Sequence, residues 1–192
     1  MTDSAGILKN NPNNKYWHNL REFSFNYWWL AIAALLMRRI PFAIFAPDEF
    51  VPLKKLVLIA SYILLAFVLL RNWRYLSVRL VFVGVMMNFV AILVNGGLMP
   101  TSPEIRDMAG MLPMGPEGIG HVLPQGSGIL LMQEQTHLWF LTDIVPVRSV
   151  YAIVSLGDIT IMVGLLFFII ESIAIPRKAL TRLPKTTSPA QG

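Results

Sequence analysis

Met86-Met87-Asn88-Phe89-Val90-Ala91-Ile92-Leu93-Val94-Asn95-Gly96-Gly97-Leu98-Met99-Pro100 is the stretch on which the fold turns. It reads as the end of an apolar helix of roughly 20 residues, the length that crosses a bilayer core. Glycine supplies the left-handed conformation that closes a helix, and Pro100 forbids its resumption, so Asn95, Gly96, Gly97, Met99 and Pro100 form a helix-terminating motif. Asn88 shares a helical face with Gly84, Ala91 and Asn95. Such a small and polar stripe lets helices approach closely, and its expected partner is Gly157, Thr160 and Gly164. Ser155-Leu156-Gly157-Asp158 places a carboxylate in the last apolar run, where an ionisable group demands a reason.

Outward from this stretch, four apolar runs can be drawn: roughly residues 25–46, 51–70, 76–95 and 150–175. They predict an all-α integral membrane bundle of about four transmembrane helices with one long extracytoplasmic loop. The expected layout is a polar N-terminal segment at 1–24, a membrane domain at 25–175 and a flexible basic tail at 176–192. Within the domain, residues 96–149 form the loop. Its first half is rich in Gly and Pro and reads as turns, and Ile129 to Leu141 reads as a short amphipathic helix lying on the membrane surface.

Composition agrees. The chain has 192 residues, 55% hydrophobic and 14% charged, where soluble domains carry about 25% charged residues. The lack of cysteine excludes disulfides and thiolate metal centres. The net charge of +5 is scattered among apolar runs, which points to the lipid bilayer as partner and away from nucleic acid. With four spans, ten basic residues fall on the side of the termini and six on the other, so both termini are expected in the cytoplasm. Lys54-Lys55 dissents. Tyr27, Trp28, Trp29, Trp73 and Tyr75 fall near one expected interface, Trp139 and Tyr151 near the other.

The candidate site is an intramembrane polar cluster of Arg38, Arg39, Asn88, Asn95, Ser155 and Asp158. Counted from the ends of their runs, Arg38 and Asp158 each lie about eight residues inside, roughly 12 Å deep at 1.5 Å per residue. Asp158 is therefore expected to pair with Arg38 or Arg39, with Asn88 as a further donor; snorkelling of the arginine is the rival. A second pair, Arg79 with Glu171, is expected at the inner end. His121, His137 and Asp143 are the polar candidates of the loop. A zinc site needs three or four ligands, and the two histidines would need Glu134 or Asp143 to complete one. No metal or cofactor is expected.

Asn95-Gly96-Gly97-Leu98-Met99-Pro100, Leu141-Thr142-Asp143-Ile144-Val145-Pro146 and Ser155-Leu156-Gly157-Asp158 occur in that order. Together they resemble a bacterial family of small multi-spanning membrane proteins of unknown function. The resemblance covers roughly residues 25–170 and implies a membrane fold in the bacterial cytoplasmic membrane. It implies no activity. Scarce polar groups and Met- and aromatic-rich runs favour a non-catalytic accessory or scaffold subunit packed against other membrane subunits. The alternative is a small-molecule or ion carrier with an outward-facing pocket of Arg38, Arg39, Asn88 and Asp158. A membrane-embedded enzyme using the loop His and Asp ranks third.

Overall fold

The computed structural model describes residues 25–174 except 113 and 125–127. Phe25–Phe168 form one unit; residues 169–174 belong to a second, terminal unit and hold only the end of the last helix. The expected N-terminal segment and basic tail lie outside the described residues. Among the described residues the helices are α1 (Trp28–Ile44), α2 (Val51–Arg71), α3 (Leu76–Val94), the short α4 (Pro103–Met108) and α5 (Leu156–Ala174). Two of them, α2 and α3, are long and apolar enough to cross a membrane. Leu35 and Leu36 on α1, Ile63 and Phe67 on α2, and Leu165 and Leu166 on α5 are exposed, whereas Leu58, Tyr62, Val85, Ala91 and Ile92 form the core.

Both ends of the α1–α2 pair are tied by a named side chain. At the end of α2, the Asn72 amide donates to Val68 O (2.8 Å) and Asn26 O (2.9 Å) and accepts from Asn26 N (2.8 Å), clamping the chain before α1. At the opposite end, Lys54 is buried and its ammonium donates to the carbonyls of Phe45, Ala46 and Pro47. Lys54 closes the turn out of α1, which accounts for half of the Lys54-Lys55 dissent by local structure. Lys54→Met removes the donor and leaves these carbonyls stranded, a cost of about 1–3 kcal/mol. Thermal melting in detergent should show it, with Lys55→Met near wild type because Lys55 contributes its methylenes, packed against Gly97.

The Asn-Gly-Gly element ends α3 as the sequence predicts. Gly97 N donates to Ile92 O (2.8 Å) and Gly96 N to Leu93 O (3.3 Å), with both glycines at positive φ, 95° and 77°. This is the paired closure that satisfies the last helical carbonyls. Asn95 then reaches beyond the helix. Its amide donates to His137 O and accepts from His137 N, both at 2.8 Å, pinning a distant loop to the helix end.

The connection from α3 to α5 departs from expectation. Leu98 to Thr101 is buried, and within it β1 (Met99–Thr101) pairs in parallel with β2 (Gly128–Leu130). A hairpin of β3 (Val145–Val147) and β4 (Ala152–Val154) follows. The amphipathic helix expected over Ile129–Leu141 is absent. That stretch is a strand and two single 3-10 turns at Gln133–Gln135 and Trp139–Leu141, because Leu130 is fully buried in a β pairing and Leu131 N bonds Thr101 O at 3.0 Å. The described residues are thus mostly helical with two small strand pairs, and not purely α.

The stripe facing α5 is a close contact. A Cβ on Gly84 would lie 2.5 Å from Gly157 O, and one on Gly164 would lie 2.7 Å from Val81 Cγ2. Thr160 Oγ1 sits 3.9 Å from Met87 Sδ. The two helices meet backbone to backbone, as small residues permit.

Candidate functional site: a bracketed helix start beside an arginine-rich cavity

The last helix starts six residues later than the apolar run suggests. Residues Ala152–Val154 are extended in β4, and Ser155 precedes the first helical residue, Leu156. Ser155 Oγ accepts from Asp158 N (2.9 Å) while Asp158 Oδ2 accepts from Ser155 N (3.1 Å), a reciprocal capping box. Asn88 on α3 closes the group. Its Nδ2 donates to Asp158 Oδ1 (2.8 Å), and its Oδ1 accepts from Ser155 Oγ (2.7 Å). Gly157 is required between them, since a Cβ there would overlap Asn88 Oδ1.

Asp158 therefore lies in the first turn of its helix, and the expected depth of two turns is corrected. Its carboxylate is held by an amide, a backbone N–H and the favourable field of a helix N-terminus. The expected ion pair with Arg38 or Arg39 is not made within 4.0 Å among the described residues. Arg38 instead stands over the Tyr62 ring at 5.0 Å, and that ring stacks on Phe89.

Arg38, Arg39 and Asp158 do share a wall. Together with Arg106 of α4 and Asp143 they line a cavity of about 360 Å³. Met99, Leu123 and Ile153 supply apolar surface to it. Asp143 is placed by two backbone bonds to β1: its N donates to Pro100 O (3.2 Å), and its O accepts from Thr101 Oγ1 (3.1 Å). Burial pushes the Asp143 carboxyl up to about 7, helped by the negative charge of Asp158 and opposed by Arg38. Arg106 is half-buried, its Nε has no hydrogen-bond partner, and burial draws its pKa down.

The remaining candidates disperse. Asn95 serves the loop clamp. His121 Nδ1 lies 3.0 Å from Asp48 Oδ2, and Asp48 Oδ1 accepts from Val122 N at 3.1 Å, joining the α1–α2 turn to the loop. These bonds hold the Asp48 carboxyl below its usual range. His137 is engaged through its backbone. No group of three or more His, Asp and Glu side chains gathers among the described residues. Arg79 Nε donates to Trp73 O at 3.0 Å and its guanidinium stands over that ring; Glu171 lies in the terminal unit, and the expected pairing with it falls outside the described contacts. Arg106 is the cavity residue that sequence reasoning missed. Nothing local marks it, because the turn of α4 and the pairing of β1 bring it to the wall.

Residues 22–170 match the model of a family described as "Family of unknown function (DUF5317)", so the chain belongs to that family. No curated protein and no solved structure matches the chain.

Proposed function

We propose that this family member is a multi-pass protein of the bacterial cytoplasmic membrane, with both termini in the cytoplasm. It binds a small polar solute in the cavity beneath its extracytoplasmic cap. The cavity carries the proposal. At about 360 Å³ it falls within the range of small-molecule sites, and five charged side chains converge on it. Apolar helices that expose Leu, Ile and Phe along their length suit a lipid surroundings, with α1 and α5 completing the four spans. The Asn72–Asn26 clamp puts Tyr27, Trp28 and Trp29 at the same end as Trp73. The Asn95–His137 clamp puts Trp139 near the end of α3, as aromatic belts at two interfaces require.

The carrier class is favoured over the scaffold class because the exposed apolar faces need only lipid, whereas a polar cavity with unmatched guanidiniums has no use in a scaffold. Native purification in mild detergent followed by melting against amino acids, sugars, carboxylates and phosphate tests this. A saturable rise in Tm with one of these solutes supports binding. A stable stoichiometric complex with other subunits, and no solute effect, would return the accessory-subunit assignment.

A further inference from the structure

We infer that the solute is a small anion bearing a carboxylate or phosphate group, gripped by Arg38, Arg39 and Arg106. This rests on the solute-binding assignment of the cavity and adds the charge of its occupant. Three guanidiniums line the cavity, and none has a carboxylate within 4.0 Å among the described residues. Of the two carboxylates present, Asp158 is committed to Asn88 and to the backbone of Ser155. Asp143 is half-buried at the cavity wall, and Asp158, Arg38, Arg39 and Arg106 are the charged groups that share its cavity. The wall therefore keeps an excess of positive charge.

Guanidinium is the side chain suited to such a ligand. Its planar fork matches the paired oxygens of carboxylate and phosphate. The unpartnered Nε of Arg106 is a buried donor in need of an acceptor, and leaving such a donor unmet is costly. An anion supplies both the acceptor and the charge. Two sources share this chemistry, a free solute and the phosphate of an anionic lipid headgroup entering from the bilayer.

Asp143 makes the grip depend on pH. Its carboxyl titrates at about 7, raised by burial and by Asp158 against the opposing pull of Arg38. Protonation removes a negative charge from the wall, so anion affinity rises as pH falls through that value. Asp143→Asn should remove the fall in affinity for succinate that wild type shows between pH 6.5 and pH 8, a range in which succinate keeps its charge.

The test uses the full chain, purified in detergent at fixed ionic strength, with phosphate and succinate as anionic probes and choline and glucose as controls. Saturating phosphate or succinate should raise Tm by about 5 °C, and choline and glucose should not. Arg106→Gln and Arg39→Gln should each raise the half-saturating concentration about tenfold or more. Arg39→Lys, at an exposed position, keeps the charge and loses the fork; it covers the case in which Arg106→Gln fails to fold. Protection by phosphatidylglycerol over phosphatidylcholine in nanodiscs, with no further effect of free anions, assigns the anion to a lipid headgroup. Protection by choline or glucose alone overturns the anion and leaves the solute site standing. No response to any solute or lipid overturns both. Equal anion protection in wild type and in Arg39→Lys and Arg106→Gln places binding elsewhere and also overturns the inference.

Discussion

Gly157→Leu should be the most damaging single substitution in the helical unit Phe25–Phe168. Its Cβ alone overlaps Asn88 Oδ1 and comes within 2.7 Å of Gly84 O, so α5 must move off α3. Overpacking costs about 1–3 kcal/mol. Displacing Asn88 breaks two further bonds at about 1 kcal/mol each, giving a total near 4 kcal/mol. Gly164→Leu meets Val81 and Ser77 O and should cost somewhat less. Leu166→Ala, on an exposed face, is the reference that should melt close to wild type. Equal Tm values for Gly157→Leu and Leu166→Ala would contradict the close contact of α3 and α5.

The second large effect is at Asp158. Asp158→Ala removes half of the capping box and the acceptor of Asn88 Nδ2, an expected loss of about 2–3 kcal/mol. Asn88→Ala should cost a similar amount, and the double variant should fall short of the sum by about 1–2 kcal/mol because the two side chains share one bond. The cycle of Asp158→Ala with Arg38→Gln should be additive within about 0.5 kcal/mol, since Arg38 is engaged with Tyr62. Strong coupling in the second cycle and none in the first would show that the carboxylate is held by an arginine.

Much of the helical frame is legible in the sequence. The apolar runs locate α1, α2 and α3 within a few residues, and the Asn-Gly-Gly element marks the end of α3. The stripe Gly84, Asn88, Gly157 and Gly164 is visible from spacing and small size alone. The start of α5 is misread because Val150 to Val154 is as apolar as the helix that follows. Hydropathy cannot tell an apolar extended strand from helix in so short a run. Ser155-x-x-Asp158 carries the needed signal, as a serine followed three residues later by an acid marks a helix N-terminus. Read that way, the carboxylate needs no arginine.

The cavity is illegible for a different reason. Arg38 and Arg39 lie on α1, Arg106 on α4, Asp143 beside β1 and Asp158 on α5. Their meeting depends on the register Met99↔Gly128 and on the clamps at Asn95 and Asp48. These are long-range pairings in a Gly- and Pro-rich connection, and no periodicity encodes them. Lys54 shows the reverse case, a charge that reads in the sequence as a topology signal and serves three local carbonyls.

The central claim is that a cavity beneath an extracytoplasmic cap opens to the outside of a multi-pass membrane protein. The native chain has no cysteine, so single cysteines report cleanly. Met111→Cys lies in the cavity wall, Ser149→Cys on the exposed surface of the cap, and Ser4→Cys and Ser188→Cys in the two terminal segments. An impermeant thiol reagent added to spheroplasts should modify Ser149→Cys and Met111→Cys, the latter more slowly, and should leave both terminal sites untouched until the membrane is broken. Modification of the terminal sites from outside, or of Met111→Cys only after lysis, would contradict the account.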